Sequence, residues 1–168
     1  EVEDLAQKFE ESLQKLKNEL GGSRFGSRYL YQLPWYIIIG RSRAGKTTSL
    51  KTANLNYIQK AQGVGSTQNC DWFFTDEAVL IDTAGRYVSQ DIYQDVDKAG
   101  WHGFLDLLKK YRPRRPINGV LIAVSLGEML QQNEVERAEH VLAVKTRLQE
   151  LHDRLGIRIR LRFLDLAA

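Results

Sequence analysis

Between Ile39 and Ser49 the chain reads Gly40-Arg41-Ser42-Arg43-Ala44-Gly45-Lys46-Thr47-Thr48. A glycine, four residues, then Gly-Lys-Thr is the spacing of a loop that wraps phosphate. Gly40 lets the backbone leave the preceding segment sharply, and Gly45 lets it pass close to phosphate oxygens. Successive N–H groups along Arg43, Ala44, Gly45, Lys46, Thr47 and Thr48 then line a concavity for an anion. Lys46 is placed to reach the terminal phosphates of GTP or ATP, and the Thr47 hydroxyl to ligate Mg2+. A second stretch, Leu80-Ile81-Asp82-Thr83-Ala84-Gly85-Arg86, ends an apolar run with a carboxylate. Asp82 is the expected second Mg2+ residue, and Gly85 can offer a bare backbone N–H to a γ-phosphate.

Those two stretches need elements to hold them. Trp35-Tyr36-Ile37-Ile38-Ile39 is β-branched and aromatic, so it predicts a buried strand entering the loop. Ser49 to Leu55 predicts a helix leaving it, with Leu50, Ala53 and Leu55 inward. Asp71 to Thr75 and Ala78 to Asp82 predict an antiparallel hairpin around Asp76-Glu77. Val120 to Val124 is wholly apolar and predicts a strand buried on both faces. Asn133 is placed to cap a helix from Glu134 to Leu155, with Val135, Ala138, Val141, Leu142, Val144, Leu148, Leu151 and Leu155 inward and Gly156 as its stop. Trp101 to Leu108 marks a short helix, and Ile157 to Phe163 alternates with arginines as a half-exposed strand. Gln59 to Asn69 and Thr83 to Asp97 lack periodicity and read as two mobile connections. This order predicts an α/β fold: a mostly parallel sheet with one antiparallel hairpin and helices on both faces. Residues 1–33 form an N-terminal amphipathic helix, with Val2, Leu5, Phe9, Leu13, Leu16 and Leu20 on one stripe, plus a linker; residues 34–168 form the phosphate-loop domain.

Connectivity from the loop through one helix, a mobile stretch and a hairpin to Asp-x-x-Gly is similar to Ras-like GTPases. In those a threonine of the mobile stretch completes the Mg2+ shell, and Thr67 is the candidate here for that metal and catalytic role. Where such enzymes carry a water-orienting glutamine this chain has Arg86, which cannot act as a base. Arg86 can instead hold transition-state charge, and signal-recognition-particle GTPases also read Asp-Thr-Ala-Gly-Arg. The guanine-reading segment would fall at Leu161 to Leu166, where Asp165 stands without the Asn/Thr-Lys pair. GTP and ATP therefore both remain open.

The composition is that of an ordinary globular protein: 43% hydrophobic, 27% charged and a net charge of +3, which gives no warrant for a nucleic-acid partner. With Cys70 as the only cysteine no internal disulfide forms, which points to a reducing compartment. No apolar run reaches the length of a membrane span. The opening and closing residues suggest an excerpt of a longer protein. His102, His140 and His152 show no metal spacing and read as surface or satisfied residues, while Trp35, Trp72 and Trp101 read as core.

Several strings go beyond a generic phosphate loop. Leu33-Pro34-Trp35-Tyr36, Asn69 to Val79, Leu80 to Tyr87 and Arg112-Pro113-Arg114-Arg115-Pro116-Ile117-Asn118-Gly119-Val120 resemble the IcmF/TssM family over roughly Leu33 to Ile159. That resemblance implies an NTPase-like domain on the cytoplasmic face of the bacterial inner membrane, in a longer chain that spans the membrane elsewhere. It implies TssL, TssJ and baseplate proteins of a type VI secretion system as partners. Two functions follow as expectations: a Mg-NTP switch with slow hydrolysis, or a docking module whose nucleotide site is inactive. In the second, the basic turn Arg112 to Arg115, the N-terminal helix and the arginine-striped last strand would be docking surfaces.

Overall fold

A computed structural model of the chain describes residues 2–20, 26–59, 70–90 and 94–156. Its centre is a five-stranded mixed sheet in the order β2-β3-β4-β1-β5. These strands are β1 (Trp35–Ile39), β2 (Tyr57–Gln59), β3 (Cys70–Thr75), β4 (Val79–Thr83) and β5 (Gly119–Ile122). β1 runs parallel to β4 and β5, whereas β3 is antiparallel to both β2 and β4. Four strands therefore point one way and β3 alone points back. The β3–β4 hairpin turns where expected, closed by the Thr75 hydroxyl, which accepts from the Glu77 and Ala78 amides.

The six helices among the described residues are α1 (Val2–Glu19), α2 (Lys46–Thr52), α3 (Arg86–Ser89), α4 (Gln94–Tyr111), α5 (Leu126–Gln131) and α6 (Glu134–Leu155). Strand alternation sends side chains to two cores, one on each face. Trp35, Ile37, Ile39, Trp72, Phe74, Val79 and Ile81 join α1, α4 and α6 in the larger one. Ile38, Phe73 and Leu80 meet Leu50 of α2 in the smaller one on the other face. Helices thus cover both faces of the sheet. The apolar stripe of α1 packs on the domain: Leu5, Phe9, Leu13 and Leu16 are buried, and Phe9 meets Trp72 edge-on at 4.9 Å. Such ring pairs contribute about 0.5–1.5 kcal/mol beyond their buried area. The three tryptophans are core residues, as their sequence context suggests.

Several elements differ from expectation, each for a physical reason. The helix after the loop stops at Thr52, because the Leu55 amide turns back to the Ala53 carbonyl; Leu55 is exposed and only Leu50 packs inward. Tyr57–Gln59, where no strand was expected and whose last residue opens the Gln59 to Asn69 stretch read as mobile, pairs with β3. Thr83 to Asp97, read as a mobile connection, contains α3 and the start of α4, and Tyr87 and Val88 are buried there. Within the stretch read as a linker, Gly26–Tyr31 forms a 3-10 helix. β5 is only half buried, since among the described residues it is the outermost strand on its side.

The cap of α6 is as read: the Asn133 side chain accepts from the Glu136 amide while Glu136 bonds back to the Asn133 amide, and Gly156 at φ 66° ends the helix. Its core-facing side runs from Ala143 and Val144 through Leu148 to the buried Leu151 and Leu155, whereas Ala138, expected inward, is exposed. Val135, Val141 and Leu142 are 67%, 51% and 64% exposed; Val135 and Leu142 lie on the side of the helix opposite the buried His140, Arg147 and Leu151. Arg112, expected on a docking surface, is buried instead. The strand expected over Ile157 to Phe163 lies outside the described residues, as does Asp165.

Candidate functional site

The loop leaves β1 at its carboxyl end and enters α2. Gly40 is needed there for space: a Cβ would stand 2.5 Å from the Ala123 carbonyl oxygen just past β5. Gly45 is needed for conformation, since its φ of 81° lies in the left-handed region that L side chains avoid. Arg43 also sits at positive φ, 65°, so the loop curls twice within three residues. The Ala44 amide donates to the Arg41 carbonyl at 3.2 Å, which closes the first curl. Thr48 lies exposed in the first turn of α2.

Lys46 is the buried cation of this loop, 8% exposed. Its Nζ donates to the carbonyls of Gly40 at 2.9 Å and Arg41 at 3.1 Å, bracing the curl from beneath. Burial pushes its pKa down, and the nearby Asp82 carboxylate opposes that shift. The Thr47 hydroxyl donates to Asp82 Oδ2, joining residues 35 apart in sequence. Asp82 is fully buried at the end of β4 and lies opposite Ile38 of β1, two strands brought side by side by parallel pairing. The neighbouring Thr83 hydroxyl bonds the Ile38 carbonyl at 2.8 Å, which fixes that register. A hydroxyl beside a buried carboxylate is a hard-oxygen pair suited to Mg2+, which usually takes one or two protein oxygens and fills its shell with phosphate and water. Among the described residues no group of three or more His, Cys, Asp or Glu is assembled.

Gly85 packs directly on the loop: a Cβ there would stand 2.1 Å from the Ser42 nitrogen. Arg86 follows, and its guanidinium pairs with Asp97 of α4, a carboxylate that is 3% exposed. Arg86 also stacks on the Tyr87 ring at 5.1 Å. The Tyr87 carbonyl accepts from Arg147 of α6 and from the side chain of Gln90, the residue that ends α3, both at 3.3 Å, so α3 is tied to α6. A cleft of about 770 Å3 opens beside the loop, lined by Arg41, Arg43 and Arg86 and by Asp97, Glu128 and Glu136 among others.

The structure therefore brings together Gly40, Arg43, Ala44, Gly45, Lys46, Thr47, Thr48, Asp82, Gly85 and Arg86; Thr67 lies outside the described residues. Sequence reasoning missed Asp97, Arg147 and the α5–α6 wall of the cleft. Asp97 is one acidic residue among several at the start of a helix, and nothing local marks it. His140, read as a surface or satisfied residue, is buried; burial and Arg41 push its pKa down, with Glu128 opposing. No helix of the described residues is long and apolar enough to cross a membrane.

Residues 94–162 match the family described as the IcmF-related N-terminal domain. Over 166 residues, 94% of this chain, the sequence is 52% identical to the type VI secretion system component TssM1 of Pseudomonas aeruginosa strain PAO1. The chain spans 15% of that relative's length. No solved structure matches it.

Proposed function

We propose that this chain, which belongs to the IcmF/TssM family, is a Mg2+-dependent nucleotide-binding domain of the P-loop NTPase type, acting in a type VI secretion membrane complex. One observation carries the reading: Lys46 and Thr47 of one segment converge on Asp82 of another, beneath a loop curled by Gly45. That is the donor set for a polyphosphate and its cation. Lys46, on exchanging its loop carbonyls for phosphate oxygens, would carry the terminal phosphates. Thr47 and Asp82 would hold Mg2+, which when bound draws charge from the β- and γ-phosphate oxygens. The Gly85 backbone is positioned by its contact with Ser42, so a change at the loop is felt by α3.

Such a site is a switch in which Gly85, Arg86 and Thr67 respond to the third phosphate. Hydrolysis by the chain alone is slow in this reading, because arginine replaces the residue that would orient water and its guanidinium is held by Asp97. The domain would act at the cytoplasmic face of the inner membrane with the other membrane-complex subunits, TssL and TssJ, and with baseplate proteins. A second reading, a docking module with an inactive site, is favoured by Leu126, Leu130, Val135 and Leu142, which are 59%, 83%, 67% and 64% exposed on α5 and α6.

Calorimetry of the chain with GTP, ATP, GDP and ADP, with and without Mg2+, separates the two. Mg2+-dependent binding that Lys46→Ala removes, in a chain that still unfolds cooperatively, is the expected result. Failure of all four nucleotides to bind would leave the docking module.

A further inference from the structure

A buried ion pair such as Arg86–Asp97 seldom stabilises a fold more than apolar residues of the same size. Its surroundings are nevertheless built to hold it still. Asp97 and Gly100 are three apart on α4 and so share a face. At Gly100 the Tyr87 ring seats so closely that a Cβ would lie 3.1 Å from it. Tyr87 in turn lies under the Arg86 guanidinium, and its carbonyl is held by Arg147. Arg86 is thus gripped on one side by a carboxylate, on another by a ring, and along its backbone by α3. The held guanidinium lines the cleft beside the loop together with Arg41, Ser42 and Arg43. A planar cation with fixed geometry is the group that recognises phosphate oxygens by direction as well as charge.

We propose that Asp97 is a positioning residue that fixes Arg86 as the reader of the third phosphate, so that the chain distinguishes nucleoside triphosphates from diphosphates. This rests on the reading that the Gly40 to Thr48 loop holds a polyphosphate. Asp97 acts through Arg86, whose guanidinium its carboxylate holds. Its charge alone would repel phosphate, so removing it has two possible effects of opposite sign. As a fixing group, its loss weakens triphosphate binding; as a mere opposing charge, its loss strengthens it.

The test compares non-hydrolysable triphosphate analogues of guanosine and adenosine with the corresponding diphosphates, by calorimetry in Mg2+, on the wild-type chain and on Asp97→Asn, Asp97→Glu and Arg86→Lys. The expected result is about a tenfold loss of the triphosphate preference in Asp97→Asn and in Arg86→Lys, with diphosphate affinity unchanged and partial recovery in Asp97→Glu. Unchanged diphosphate affinity also reports an intact loop, and Arg86→Lys carries the test should Asp97→Asn not fold. An unaltered or increased triphosphate preference in these variants overturns the inference alone. A wild-type chain that binds neither class of nucleotide overturns it together with the reading beneath it.

Discussion

Gly85 and Ser42 are in backbone contact: a Cβ on Gly85 would stand 2.1 Å from the Ser42 nitrogen and 2.6 Å from the Arg41 carbonyl carbon. The obstacle is main chain, which cannot rotate away as a side chain can. Gly85 itself has an ordinary helical φ of −61°, so the constraint is space and not conformation. Gly85→Ala should therefore cost about 1–3 kcal/mol, as overpacking does, and should weaken nucleotide binding by displacing the loop. Urea denaturation and calorimetry check both. A variant as stable as the wild type would mean that the two segments part freely and that the contact couples nothing.

β1, β3, β4 and β5, the hairpin, the loop and the cap of α6 were legible because each is set by neighbours in sequence, whereas β2 was not. Gly45-Lys46 after an apolar run, Asp76-Glu77 between two runs and Asn133 three before Glu136 are local signals with local causes. What the sequence did not show were choices between partners. Apolar spacing marks α6 as a helix, yet which of its residues are covered depends on how it packs against α3 and α4. Arg112 sits in a run of Arg and Pro that reads as solvated, and only the fold supplies carbonyls to bury it. The Arg86–Asp97 pair likewise joins two helices whose packing no pattern in either announces.

Arg112 should be intolerant of lysine. Its Nε donates to the Leu30 carbonyl at 2.8 Å, and its terminal nitrogens donate to the Leu33 carbonyl at 3.3 Å, the Asn118 side chain at 3.0 Å and the Arg115 carbonyl. The guanidinium also lies between the Trp35 and Tyr31 rings, at 4.9 and 5.0 Å. Burial lowers its pKa to about 10, which still leaves it charged near neutrality. A lysine can neither stack nor reach this fan of acceptors. We expect Arg112→Lys to lose about 3 kcal/mol, read as a fall in the urea midpoint, with nucleotide affinity per folded molecule unchanged.

Thr47→Val keeps the shape of the side chain and deletes the hydroxyl that meets Asp82. If that hydroxyl serves Mg2+, the variant should bind nucleotide about tenfold more weakly in Mg2+ and equally well in its absence. Titrations with and without the cation separate this from a general loss of the loop. An equal loss in both conditions would assign Thr47 to loop structure alone.

Cys70 opens β3 as a buried thiol whose pKa is pushed up to about 12, chiefly by burial. The thiolate is the reactive form, so Cys70 should resist alkylation at pH 8 in the native chain and react promptly in urea. Because the folded pKa lies above the unfolded one, native and unfolded chains both keep the proton below about pH 9. As pH rises from 9 toward 12 the unfolded thiol ionises first, and stability is lost over that window. Cys70→Ala should flatten this part of an alkaline stability profile. Mass-resolved alkylation gives the first reading and urea midpoints the second.

His140 should govern the opposite end of the profile. It is 6% exposed on α6, and neither ring nitrogen has a hydrogen-bond partner among the described residues. Burial lowers its pKa first and the Arg41 guanidinium lowers it further, against a smaller opposing pull from Glu128. A depressed folded pKa means that the unfolded histidine takes up a proton before the native one does. Stability is then complete above about pH 6.5 and falls as pH drops below it, because the folded chain resists the charge. His140→Gln, neutral at every pH, should remove that part of the acid sensitivity while leaving stability at pH 8 within about 1 kcal/mol. Urea midpoints of both proteins between pH 8 and pH 5 measure the difference. Parallel profiles would show that the folded His140 takes up its proton as readily as the unfolded one.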